Sequence, residues 1–170
     1  LAKEAVGKNN LLALILPCHS HGQDESDAKI VAKKLGIRIK KVDLTKVFSI
    51  LSAILPKAGQ LARHNLKPRL RMIVLYYFAN KFNYLVCGTG NKSECMIGYF
   101  TKYGDGGVDL LPIADLLKKE VRVLAKELKI PEHIIIKSPT AGLWLGQTDE
   151  GEMGFSYAEL DTILESLAAG

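Results

Sequence analysis

NYLVCGTGNKSE, residues 83–94, runs from an apolar segment through a glycine-flanked turn to a carboxylate about one helical turn further on. Its first half, NYLVCG at 83–88, reads as a buried strand, and GTGNKSE reads as the turn and helix start that follow it. A strand feeding a helix through a tight turn is the repeating unit of parallel sheets, and in such sheets ligands sit beyond the carboxyl ends of the strands. The turn is not the GxGxxG of a dinucleotide-binding loop, because Asn91 to Glu94 supply no third glycine.

Working back toward the N-terminus, the same alternation recurs. LLALILP at 11–17 is a continuous apolar run closed by Pro17, the pattern of a strand covered on both faces. Asp24 is expected to cap a helix carrying Ala28, Val31, Ala32 and Leu35 at helical spacing and ended by Gly36. RIKKVDL at 38–44 reads as the next strand. The segment 45–64 is helical but broken at Pro56 and Gly59, and Asn65 is expected to cap a long helix presenting Leu70, Ile73, Val74, Tyr77 and Phe78 on one face, with Pro68 tolerated in its first turn. Toward the C-terminus, Leu117, Val121, Leu124 and Leu128 mark a helix over 115–129, and Ser156 with Glu159 forms a capping box for another. Strands alternating with helices at these lengths predict an α/β fold, a twisted parallel sheet with helices on both faces.

The 170 residues, 48% hydrophobic and 24% charged, suit one globular domain spanning 1–170. No apolar run approaches the ~20 residues that span a bilayer, and the N-terminus does not read as a signal peptide. Cys18, Cys87 and Cys95 are an odd set at irregular spacing, which points to a reducing cytoplasm rather than a disulfide framework. The net charge of +5 comes from scattered cations and fits phosphorylated small molecules, with neither a nucleic-acid nor a membrane partner expected. LAKEAVGKNN lacks an initiator Met and resembles the last turns of a helix ending at Gly7, so further sequence is expected upstream.

Several residues stand out as chemistry-bearing. Glu94 has two readings: a solvated carboxylate in a capped helix start, or an oxygen ligand for Mg²⁺, which often shares one or two carboxylates with substrate phosphates. Arg69 and Arg71 diverge by roughly 200° on a regular helix, so at most one enters a given pocket. Lys118 and Lys119 lie where a helix dipole disfavours cations, a position that a bound polyphosphate would compensate. YFTKYGDGGVDLLP at 99–112 sets Lys102, Asp105 and Asp109 among three glycines, more than a surface hairpin needs. CHSH at 18–21 is a weak match to a metal site, and Cys95 is a poor nucleophile candidate without a nearby histidine.

The run VCGTGNKSECMIGYFTKYGDGGVDLLPIADLLKKEV, followed by KSPTAGLW and GQTDEGEMGFSY and preceded by NLKPRLRM, closely resembles ammonia-dependent NAD synthetase over essentially the whole chain. The resemblance implies an adenine-nucleotide α-hydrolase-like, Rossmann-like fold of the PP-loop ATP pyrophosphatase superfamily and a homodimer. It also implies conversion of deamido-NAD, ATP and ammonia to NAD, AMP and pyrophosphate. Carried over by position, Glu94 is implied as a Mg²⁺ ligand; Thr89, Lys118 and Thr140 as ATP-binding residues; and Arg69, Lys102 and Asp109 as deamido-NAD contacts, with Asp105 added. The resemblance supplies no protein nucleophile; charge stabilisation falls to Lys118. The glycines of 104–107 would then let the chain wrap the dinucleotide closely.

Three departures qualify the match. The family's SGGxDS loop, which follows its first strand, and a His-Lys pair near its C-terminus are not in this sequence, and Pro68 stands where the family usually has alanine. Residues 1–170 by themselves are therefore expected to lack catalysis, with the first strand of the sheet missing and the domain incomplete at both ends. Two alternatives stay open: a non-catalytic adenine-nucleotide or dinucleotide binder, and the synthetase domain of another ATP pyrophosphatase. Ammonia is either free or supplied by a glutaminase.

Overall fold

Leu12–Ile15 (β1) and Arg38–Lys41 (β2) pair in parallel in the computed structural model, which describes residues 1–170, with Leu12 opposite Arg38 and Ile15 opposite Lys41. A parallel pair needs a crossover, and the helix Gly22–Leu35 (α2) supplies it, packing on both strands. Its N-cap is His21, whose ring accepts from the Gln23 amide, rather than Asp24 as expected. Asp24 instead lies in the first turn, where its charge complements the helix dipole. Gly36 ends the helix in the left-handed conformation, φ 65°.

The chain divides into two compact units: Leu1–Gly88 with Thr101–Leu110, and Thr89–Phe100 with Leu111–Gly170. The first begins with Ala2–Val6 (α1), stopped at Gly7 as the sequence indicates. After β2 come Thr45–Ile54 (α3) and Gln60–His64 (α4), separated at Pro56 and Gly59, and then Leu66–Phe82 (α5). Leu70 and Val74 of α5 pack on a core of Cys18, Leu44 and Phe48. The rest of the expected apolar face is split. Phe78 is buried, but Ile73 and Tyr77 are 57% and 61% exposed, because the row one residue round the helix from Leu70 and Val74 turns away from that core. Asn65 does not cap α5 through its side chain; its Oδ1 accepts from the Thr101 hydroxyl at 3.0 Å.

The strand expected at 83–88 does not form, so the sheet has two strands. Leu85 is 69% exposed and Val86 is 4% exposed, the alternation of extended chain, yet the only bridge joins Cys87 and Leu110. A strand is defined by a ladder. Here the Val86 amide donates to the Asp109 carboxylate at 2.7 Å, a side chain standing where a neighbouring strand's carbonyl would be.

The second unit contains Lys92–Ile97 (α6), Lys118–Glu127 (α7), Glu132–Ile135 (α8), Asp149–Met153 (α9) and Tyr157–Ala169 (α10). Its core is Leu117, Tyr157, Leu160 and Leu164, with Met153 against it. Val121 and Leu124 on α7 and Leu128 at its C-cap are half-buried as their spacing predicts, and Ser156 with Glu159 closes the expected capping box on α10. No helix is long and apolar enough to cross a membrane.

Candidate functional site

In the second unit the GTGNKSE turn delivers Glu94 into the first turn of α6. Buried Asn91 caps that helix: its Oδ1 accepts from the Glu94 amide at 3.0 Å, and Glu94 Oε2 accepts from the Asn91 amide at 3.1 Å. The other carboxylate oxygen, Oε1, meets the Lys118 ammonium at 2.8 Å and the Tyr157 hydroxyl at 3.3 Å. Glu94 is thus a helix-capping residue, yet not a solvated one, since both oxygens are engaged and its side chain is mostly covered.

Tyr157 is buried, and its hydroxyl also contacts Asp149 Oδ2 at 3.0 Å. One phenolic proton faces two carboxylates. Burial pushes the Asp149 carboxyl above its ordinary value, and burial together with the charges of Glu94 and Asp149 pushes the Tyr157 phenol up. Tyr99 extends the group, donating to Glu152 Oε2 at 2.8 Å. Burial, aided by that bond, raises its phenol as well. Lys118 lies with its ammonium 4.5 Å from the Tyr157 ring centroid.

Lys118 and Lys119 do open α7, against its dipole, but carboxylates compensate them. Lys118 pairs with Glu94 and Lys119 with Glu165 at 2.6 Å. A polyphosphate is therefore not required to explain either lysine. Thr140 is exposed, and its hydroxyl donates to the Gln147 carbonyl at 2.7 Å and accepts from the Gly142 amide at 3.0 Å. Thr89 is exposed on the turn before α6. Burial, reinforced by the Glu94 charge, pushes the Cys95 thiol up, away from nucleophilic thiolate character.

In the first unit the glycine-rich loop folds against α5. The Arg69 Nε donates to the Lys102 carbonyl at 3.2 Å, and Asp105 Oδ1 accepts from the Thr101 amide at 3.0 Å. Asp109 accepts from the Tyr76 hydroxyl at 3.0 Å as well as from the Val86 amide. Arg69, Lys102, Asp105 and Asp109 therefore belong to one loop-and-helix assembly, with the Lys102 ammonium 5.1 Å from the Tyr103 ring centroid. The glycines have a packing reason that precedes any ligand. A Cβ on Gly104 would lie 2.9 Å from Pro68 Cβ and 3.0 Å from Thr101 Cβ, and one on Gly107 would lie 3.3 Å from Met72 Cγ.

Arg71 diverges from Arg69 as its position predicts. It reaches the carboxyl end of β1, donating to the Leu16 carbonyl at 3.1 Å and the Ser20 hydroxyl at 3.2 Å. The CHSH residues separate into three tasks: Cys18 is buried in the core, the His19 ring bonds the Ser49 hydroxyl at 3.2 Å, and His21 caps α2. Sequence reasoning did not single out Tyr157, Asp149, Ser93 or Asp161. Tyr157 lies 63 positions from Glu94, and only the fold brings the two together.

The NAD synthase family model matches residues 1–169, across both units. An NH(3)-dependent NAD(+) synthetase from Carboxydothermus hydrogenoformans is 51% identical over 169 residues, covering 96% of this chain and 69% of that protein. One from Archaeoglobus fulgidus is 51% identical over 172 residues, covering 100% and 70%. Among solved structures, an NMN synthetase from Francisella tularensis superposes with a TM-score of 0.87 at 40% identity, over 91% of this chain and 66% of that one. An NH3-dependent NAD synthetase from Campylobacter jejuni gives a TM-score of 0.80 at 29% identity, over 98% and 66%. This chain spans about two thirds of the length of these relatives. With a family model covering nearly every residue and half of all positions identical to two such synthetases, the chain belongs to the NAD synthase family.

Proposed function

We propose that this protein amidates deamido-NAD with ammonia at the expense of ATP, a reading carried by its membership of the NAD synthase family, with the Glu94–Lys118 pair as the candidate site for ATP and its cation. A carboxylate and an ammonium 2.8 Å apart, both mostly covered, form a charge pair that a polyphosphate and its cation can enter by exchange. Thr89 and Thr140 add hydroxyls for ATP. Arg69, Lys102, Asp105 and Asp109 supply cations and acceptors suited to the phosphates and hydroxyls of deamido-NAD. Glu94 fits Mg²⁺ as one hard oxygen ligand, and the ion when bound supplies neutralisation of phosphate charge.

The reaction asks for positioning rather than a protein nucleophile. A carboxylate oxygen of the nicotinate bonds to the α-phosphorus while the bond to the bridging oxygen breaks, and pyrophosphate leaves with the electron pair. Lys118 stabilises that departing charge. Ammonia then bonds to the acyl carbon, AMP leaves, and a proton is released. Three free cysteines suit a reducing cytoplasm.

A second reading concerns the acceptor. The similarity to a structure named as an NMN synthetase makes a mononucleotide carrying the same nicotinate carboxylate an alternative substrate. The test incubates the full chain expressed from its gene with ATP, Mg²⁺ and ammonium, offering deamido-NAD or nicotinate mononucleotide in parallel. We expect the higher kcat/KM with deamido-NAD; a preference for the mononucleotide overturns that choice, and no amide product with either overturns the ligase reading.

The protein is further proposed to be a homodimer, with Ile73 and Tyr77 of α5 as the covered apolar face. Of the three adjacent aromatics Tyr76, Tyr77 and Phe78 on α5, Phe78 is in the core and the Tyr76 hydroxyl is held by Asp109, which leaves Tyr77. Light scattering at micromolar concentration is expected to give twice the chain mass, and Tyr77→Glu is expected to shift it to one. A monomeric mass for the unaltered protein would remove the dimer.

A further inference from the structure

The N-cap of α7 is Leu117, which has no side chain able to accept a hydrogen bond, although the first amides of a helix need acceptors. Two side chains from other helices serve instead. The Lys118 amide donates to Ser93 Oγ at 2.9 Å, and the Lys119 amide donates to Asp161 Oδ2 at 2.8 Å. The Ser93 hydroxyl in turn donates to Asp161 Oδ1. Ser93 and Asp161 are 0% and 1% exposed, so this dyad is sealed from water. Ser93 also precedes Glu94 on α6, while the dyad holds the backbone that carries Lys118.

We propose that Asp161 is a positioning residue for Lys118. It fixes the first turn of α7 through the Lys119 amide and, by way of Ser93, the Lys118 amide, and so aims the ammonium at Glu94. A helix start could be capped by Ser, Thr, Asp or Asn at position 117 alone. Borrowing a buried carboxylate from α10 is worthwhile only where the first turn must hold one orientation, since a charge-assisted bond in a dry site is stiffer than a neutral cap open to water. The same dyad then sets both partners of the ion pair, Glu94 through its neighbour Ser93 and Lys118 through its own amide. This role rests on the reading of Lys118 as an ATP-binding group.

The test measures ATP and deamido-NAD binding by calorimetry, together with turnover, on the full chain and its variants. Asp161→Ala and Ser93→Ala are each expected to weaken ATP binding about ten-fold, the size expected for loss of a charge-assisted cap, while deamido-NAD affinity stays within about two-fold. The isosteric Asp161→Asn should restore part of the loss, because its carboxamide oxygen still accepts from the Lys119 amide, while its NH2 faces the Ser93 hydroxyl that the carboxylate accepted from. In the double variant Asp161→Ala/Lys118→Ala, ATP binding should be no weaker than in Lys118→Ala alone, since no ammonium is left to aim. Additive losses, or equal weakening of both ligands, would show a merely structural carboxylate and overturn the role. Should circular dichroism show Asp161→Ala unfolded, Ser93→Ala carries the same cycle. If Lys118→Ala weakens ATP while the Asp161 and Ser93 variants do not, the positioning role alone is overturned. Unchanged ATP binding in Lys118→Ala overturns the ATP reading and this role with it.

Discussion

Glu94→Gln is expected to lower NAD formation by about 10²-fold or more while leaving the helix content of the protein unchanged, the scale on which preorganised charge contributes to catalysis. The two effects separate because the residue has two tasks. A glutamine still has a carbonyl oxygen for the Asn91 amide, so the capping of α6 survives. What it cannot do is meet the Lys118 ammonium with a second oxygen, or offer Mg²⁺ a negative charge. Its NH2 would face another donor, which turns Lys118 away from its present place over Tyr157. Initial rates at saturating Mg²⁺, with circular dichroism on the same samples, check this. Near-normal turnover would remove Glu94 as the metal ligand, and a collapse of helix signal would reduce it to a structural cap.

The second large effect is on stability. Gly104→Val is expected to destabilise the protein by about 1–3 kcal/mol, the usual result of forcing extra atoms into a filled space. The first added carbon would already stand 2.9 Å from Pro68 Cβ and 3.0 Å from Thr101 Cβ. Neither neighbour can yield cheaply, one being part of a proline ring in the first turn of α5 and the other β-branched and buried. The loop must therefore lift, taking with it the Lys102 carbonyl held by Arg69. A melting temperature several degrees lower should accompany weaker deamido-NAD binding. A variant that melts with the unaltered protein would show that the loop has room to spare, and would return the glycines to the ligand-wrapping role first assigned to them.

Much of the local structure was legible in the sequence. The stop of α1 at Gly7, the break at Pro56 and Gly59, the end of α2 at Gly36 and the Ser156–Glu159 capping box each follow from chemistry decided within a few residues. The parallel pairing of β1 and β2 follows from two extended segments with a helix of the right length between them, although only β1 is apolar and β2 is exposed throughout. The motif resemblance also named Glu94, Lys118, Thr140 and the loop residues as candidates without reference to contacts.

The extended segment 83–88 shows where local reading ends. Its composition reads as a strand, but whether it forms one depends on what lies beside it, and the Asp109 carboxylate occupies the Val86 amide from 23 positions away. The cap of α2 similarly passed to His21 because its ring turned back to the Gln23 amide. Neither outcome is written in a propensity.

Local chemistry along the chain located the longer helices, several of their ends and both strands of the sheet, and the motif resemblance gave the family; the short helices α8 and α9 carried no signal strong enough to be read. How the candidate residues are held is a matter of packing. The pairing of Glu94 with Lys118 spans 24 positions, the contact of Glu94 with Tyr157 spans 63, and the bond of Ser93 to Asp161 spans 68. Helix and turn signals act over the few residues that share a backbone hydrogen bond. The orientation of a buried charge is instead set by whichever donors and acceptors the packed core brings within about 3 Å, and those come from anywhere along the chain.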